Sequence, residues 1–238
     1  MAGTKVKAIV LSSKDYKEKD RLITLFTLEE GKMTAYMRGV RGEKAKLKSA
    51  KEIFSFGEYI IENTKGMNII TQAEVIDSFF ALTQDLDKFY EGCAILDIIN
   101  KVIKENSNPA LFIETLKALQ ALCYNNIDKY YIIDKFLIKT FENLGYLFLT
   151  DTCSSCGAKL TGTKYFNLDI GELVCANCKN DTCVQVSDAT YSALKLLGAT
   201  DYDKLDSLKL GGGGVEQTFH LLEKNFEWRI GNKFCKIP

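Results

Sequence analysis

The chain has 238 residues, 46% hydrophobic and 26% charged, an ordinary balance for a folded globular protein that excludes a disordered chain. Its 31 basic and 31 acidic residues cancel, so only local patches, not the molecule as a whole, can attract nucleic acid or a membrane. No apolar run approaches the roughly eighteen residues of a membrane helix, and "MAGTKVKAIVLSS" is too short and β-branched for a secretion signal. Cys93, Cys123 and Cys235 are scattered as in a reducing compartment, so a cytoplasmic location without membrane association is expected.

The N-terminal third reads as β-structure. "KVKAIVLSS" from Lys5 and "RLITLFT" from Arg21 are short β-branched runs bounded by charged turns, and "EEG" joins the second to "KMTAYMRGV". "IFSFGEYIIENT" and "NIITQAEVIDS" make another pair around "KGM". Five strands in about 80 residues predict a small closed barrel of the OB type, with an SH3-like barrel as the competitor. Tyr36 is expected in the barrel core, with base stacking as a lesser role. Glu58 and Glu62 share a strand face with Ile60 between them, so they read as exposed carboxylates rather than magnesium ligands.

One segment of the barrel is strongly basic. From Lys32 to Lys51 there are seven basic residues against the single acid Glu43. Such a run, joining two strands, is suited to contacting several phosphates at once with release of counterions. The alternative is a solvated loop.

The remainder is helical. Leu86, Phe89, Cys93, Leu96, Ile99 and Ile103 recur at helical spacing, Asn108 and Pro109 start a second helix, and a third runs from about Asp128 until Gly145 stops it. Ser187 caps a fourth, closed by Gly198, and Val215–Ile230 forms the last. Gly211–Gly214 lacks the Lys-Ser or Lys-Thr of a P-loop and is expected to be a flexible connection.

Between the third and fourth helices lies "CSSCGAKLTGTKYFNLDIGELVCANC". Cys153, Cys156, Cys175 and Cys178 have the paired two-residue spacing of a zinc site. Gly157 can take the left-handed conformation that turns backbone N–H groups toward sulfur. Four cysteines fill a tetrahedral shell and leave no position for an activated water, so a structural zinc is expected to hold a small protrusion. Cys183 is a spare thiol. With His220 as the only histidine, no Ser-His-Asp or Cys-His constellation is available, and no enzyme is expected.

The order of parts resembles the RecO family of bacterial DNA repair proteins. The likeness is carried by "EKDRLITLFTLEEGK", the following "RGVRG", "AEVIDSFF", the four-cysteine knuckle and, more loosely, "HLLEKNFEWRIGNKF". It implies an α+β chain: an N-terminal OB-fold β-barrel over residues 1–80, then a helical domain over 81–238 with an inserted zinc knuckle at 151–180. It also implies binding of single- and double-stranded DNA, annealing of complementary strands, and work with RecR to load RecA onto DNA coated by single-stranded DNA-binding protein. The family's DNA-binding basic residues correspond here to Arg38, Arg41, Lys44, Lys46, Lys48 and Lys51. The neutral net charge departs from more basic relatives and shifts weight to protein partners. A partner-binding adaptor with an incidental basic loop is the alternative reading, and a metal-dependent nuclease on an OB scaffold a further one.

Overall fold

The computed structural model describes residues 3–42, 47, 49–146 and 149–235. Two compact units are present, the first running to Cys123 and taking back Cys235, the second being Tyr124–Phe234.

The first unit is built on five strands: β1 (Thr4–Tyr16), β2 (Asp20–Thr27), β3 (Gly31–Met37), β4 (Phe56–Thr64) and β5 (Met67–Asp77). They close in the order β1-β2-β3-β5-β4, with antiparallel neighbours except for the short parallel β3–β5 junction at Tyr36↔Ile69 and Met37↔Ile70. Closure removes the free edges that an open sheet would expose. Strand alternation makes the interior: Val6, Ala8 and Val10 of β1, Ile23 and Leu25 of β2, Ala35 and Met37 of β3, and Tyr59 and Ile61 of β4 all face one core.

The opposite face of β1 and β2 is also buried in part, because helices α1 (Leu86–Val102) and α2 (Pro109–Tyr124) belong to the same unit. Phe26 of β2 meets Phe112 of α2 edge-on at 5.2 Å, and Phe54 meets Phe89 of α1 at 5.9 Å. Asp85 caps α1 by accepting from the N–H groups of Asp87 and Lys88.

The second unit contains α3 (Lys129–Asn143), a small sheet of β6 (Lys164–Asn167), β7 (Glu172–Cys175) and β8 (Cys183–Val186) in the order β7-β6-β8, then α4 (Asp188–Ala199) and α5 (Gly212–Ile230). Phe136 and Phe141 of α3, Leu194 and Leu197 of α4, and Leu222 and Phe226 of α5 are fully buried. Asp134 of α3 is fully buried too, with no hydrogen-bond partner for either carboxylate oxygen among the described residues. Burial, with a contribution from Asp128, holds its carboxyl well above the usual range, favouring the protonated form.

Two glycine expectations are corrected. Gly198 does not stop α4, which continues to Ala199; a Cβ at Gly198 would sit 3.3 Å from Ile138 Cγ2, so this glycine lets α4 approach α3. The Gly211–Gly214 run is not a loose connection, since Gly212–Gly214 form the first turn of α5. A Cβ at Gly214 would lie 3.0–3.1 Å from Ala189, and the Thr218 hydroxyl donates to Gly214 O at 2.8 Å, so α4 and α5 meet nearly backbone to backbone.

Candidate metal centre and nucleic-acid interface

The four predicted cysteines converge. Cys153 lies on a turn closed by its own N–H donating to Ala158 O at 2.7 Å, with Gly157 at φ 72° donating to Cys153 O at 2.8 Å. Cys175 ends β7, and a 3-10 turn, Ala176–Cys178, brings Cys178 back toward it. All four sulfurs lie within 4.8 Å of one another, and those of Cys156 and Cys175 are 3.9 Å apart. A tetrahedral zinc with sulfur ligands at about 2.3 Å separates its sulfurs by about 3.8 Å, so the cage fits that ion. The Cys175 N–H donates to Cys153 Sγ at 3.3 Å, the backbone-to-sulfur bond expected of a thiolate ligand.

Protonation follows the same geometry. Burial disfavours a Cys153 thiolate, yet backbone donation from Cys175, Cys156 and Ser155 outweighs it and pulls the thiol down to about 6. Hydrogen bonds to Cys156 and Cys175 keep the proton on Cys178, pushed up to about 12. A bound dication inverts that preference and displaces the protons. Cys183 stands apart from the cage, its thiol donating to Asn180 Oδ1 at 3.1 Å within a local turn.

The ribbon is fastened to its unit by charge. Arg229 of α5 donates through Nη2 to Leu168 O at 3.2 Å and Asp169 O at 3.3 Å, and its guanidinium lies 4.8 Å from the Tyr146 ring centre. Lys164 of β6 pairs with Asp188 at 2.7 Å, at the N-terminus of α4.

The basic segment is only partly within the described residues: Lys44, Lys46 and Lys48 fall outside them. Arg38 and Arg41 follow directly on β3, in a turn docked against the β1–β2 hairpin. The Gly39 N–H donates to Asp20 Oδ1 at 2.9 Å, the Arg41 N–H to Lys19 O at 3.2 Å and Arg41 Nη1 to Lys17 O at 3.3 Å. Asp15 receives both Arg21 Nε at 3.0 Å and Arg41 Nη2 at 3.3 Å. Of the hairpin's three acids, Asp15 and Asp20 thus act as internal braces, while Glu18 in the turn is exposed. Lys14, Lys17, Lys19 and Arg38 are exposed at this corner, and no acidic group among the described residues pairs with Arg38.

Two residues depart from expectation. Lys51 is 8% exposed, and its ammonium lies 3.8 Å from Glu52 Oε1, so little of it reaches solvent. Tyr36 is not in the barrel core: its neighbours Ala35 and Met37 point inward, and its ring lies outside, 5.0 Å from that of Tyr16. The hairpin residues Tyr16, Lys17 and Lys19 escaped sequence reasoning because "KDYKEKDR" alternates in sign and carries a net charge of only +1, from four basic and three acidic residues; only the docking of the Arg38–Gly42 turn adds further cations beside them.

Glu58 pairs with Lys5 at 2.6 Å, as expected of a strand carboxylate. Among the described residues, the cysteines are the one cluster of three or more candidate metal ligands. None of the helices among the described residues is long and apolar enough to cross a membrane.

Comparison with known families divides the chain after the barrel, so that α1 and α2, which belong to the first compact unit, fall in the C-terminal match. Residues 1–79 match the family model for the recombination protein O N terminal region, and residues 83–236 match that for its C terminal region. The chain belongs to the RecO family. DNA repair protein RecO of Clostridium novyi (strain NT) is 30% identical over 220 residues, covering 92% of this chain and 86% of the relative. RecO of Thermoanaerobacter sp. (strain X514) is 33% identical over 211 residues, 87% of this chain and 85% of the relative. RecO of Syntrophomonas wolfei is 29% identical over 231 residues, 96% of this chain and 92% of the relative. The closed five-stranded barrel followed by helices is consistent with an OB-fold at the N-terminus of a DNA repair protein of this family.

Proposed function

We propose that this RecO-family chain is a non-enzymatic, cytoplasmic DNA-binding mediator of recombinational repair. It binds single- and double-stranded DNA, anneals complementary strands, and with RecR helps load RecA onto single strands coated by single-stranded DNA-binding protein. The observation that carries the reading is the basic corner, where the Arg38–Gly42 turn is braced on the β1–β2 hairpin and leaves Arg38, Lys14, Lys17 and Lys19 exposed.

Annealing requires no catalytic side chain. Base pairing supplies the driving force once two polyanions are brought together, and a surface that neutralises phosphates lowers their repulsion. Such contacts read no base edges, so little sequence preference is expected. The four-cysteine centre, with its shell filled by protein ligands, supports the fold of the second unit by holding a structural zinc.

The direct test is a strand-annealing assay with wild type and an Arg38→Ala/Arg41→Ala variant. Slower annealing by the variant, with an unchanged melting temperature, supports the reading. Equal rates would favour a partner-binding adaptor in which the basic corner is incidental, and cleavage of the strands with magnesium would favour a nuclease.

A further inference from the structure

Tyr16 ends β1 and is 37% exposed, beside a Tyr36 ring that strand alternation has turned out of the barrel. The two ring planes are tilted by 57° at a centroid separation of 5.0 Å. Lys17, left-handed at φ 55° in the hairpin turn, holds its ammonium 5.3 Å from the centre of the Tyr16 ring. The Lys17 carbonyl in turn accepts from Arg41. An aromatic pair backed by the barrel therefore stands among the exposed cations described above, with Glu18 as an exposed acid in the same turn.

Resting on the DNA-binding reading, we propose that Tyr16, supported by Tyr36, is a base-stacking platform that makes this corner select unpaired strands over duplex. The cations serve any phosphate backbone alike. A π-face serves only a base free of its own stack, which a duplex does not offer. Lys17 is exposed, so its cation–π contact is weak and exchangeable; an arriving base takes the ring while the ammonium turns to the adjacent phosphate. Stacking engages the face of the base and leaves its hydrogen-bonding edge open, which suits a strand that must next find its complement. Tyr36 holds the Tyr16 ring from the sheet side and is a positioning residue.

The experiment compares binding of an oligo-dT strand with that of an abasic strand of equal length and phosphate count, across a salt series. Wild type is expected to prefer oligo-dT by about 5- to 140-fold, the range for stacking one base. Tyr16→Leu keeps an apolar side chain but lacks the ring; it should bring the ratio near one without changing the salt slope. Tyr16→Phe should retain the preference. Equal binding of both strands by wild type overturns the proposal, as does a preference that survives Tyr16→Leu, and neither result touches the DNA-binding reading, which the salt slope reports. Failure of wild type to bind either strand at low salt overturns both. The wild-type comparison needs no variant to fold, and thermal melting of Tyr16→Leu checks the second arm.

Discussion

Removing the guanidinium groups of Arg38 and Arg41 should weaken single-strand binding by an amount that depends on salt in a calculable way. If Arg38, Arg41, Lys17 and Lys19 each meet one phosphate, four counterions leave on binding, and log affinity falls against log salt with a slope of about −0.7 per contact, near −3 in total. Arg38→Ala/Arg41→Ala leaves two contacts and a slope near −1.4. If the two lines converge near 1 M salt, affinity at 0.1 M drops by about 25-fold, while at 0.5 M the loss is only about threefold. Folding should hardly notice. Arg41 pairs with Asp15 at 3.3 Å with both side chains well exposed, a contact worth no more than about 1 kcal/mol, and its backbone N–H bond to Lys19 O survives the substitution. Filter binding of oligo-dT from 0.05 to 0.5 M salt, with thermal melts of both proteins, measures each quantity. A parallel displacement of the line with no change of slope would refute phosphate contact by these two residues, and an unchanged line would move the interface elsewhere, the basic residues from Lys224 onward being the next candidates.

Elemental analysis should find one zinc per chain, and Cys178→Ala should release it and cost the β6–β8 ribbon its amide protection, while the barrel amides remain protected. Because the thiols must lose protons to hold the ion, zinc release should be promoted by acid. Burial raises the Asp134 pKa above the unfolded value of about 3.9, so the stabilising effect of its proton is complete below that value and fades as pH rises toward the folded pKa. Asp134→Asn should therefore raise the melting temperature at pH 7 to 8 and make little difference at pH 3; equal effects at both pH values would show that the pKa of this carboxyl is not raised in the fold. Gly213→Ala, where nothing lies within 4 Å of the new Cβ, should stabilise α5 by up to about 1 kcal/mol, whereas Gly214→Ala, pressed on the Ala189 backbone, should destabilise the unit by about 1 kcal/mol. Thermal melts of the pair check the opposite signs.

Much of this molecule is legible one segment at a time. The five barrel strands and the helices follow from period-two and period-3.6 apolar patterns, whereas the four-residue strands β6–β8 are too short to show one; Asp85 and Ser187 mark helix starts through their own side chains, and the cage is written in two short cysteine spacings. These features are local because the interacting groups lie within a few residues, or repeat at a period set by backbone geometry. What escaped was long-range. Gly198 and Gly214 look like punctuation in the sequence, but their role is set by Ile138 and Ala189 on other helices, since removing a Cβ matters only where a second backbone arrives. Tyr36 is apolar enough for a core, and whether its ring goes in or out is fixed by barrel register, in which one residue of displacement exchanges the two faces. The sequence by itself determined a barrel, a helical body and a closed four-cysteine centre. Tertiary structure alone decided that the Arg38–Gly42 turn should lie on the β1–β2 hairpin, where Asp15 and Asp20 are spent as braces and Lys14, Lys17, Lys19 and Arg38 are left facing water beside one unbraced acid, Glu18.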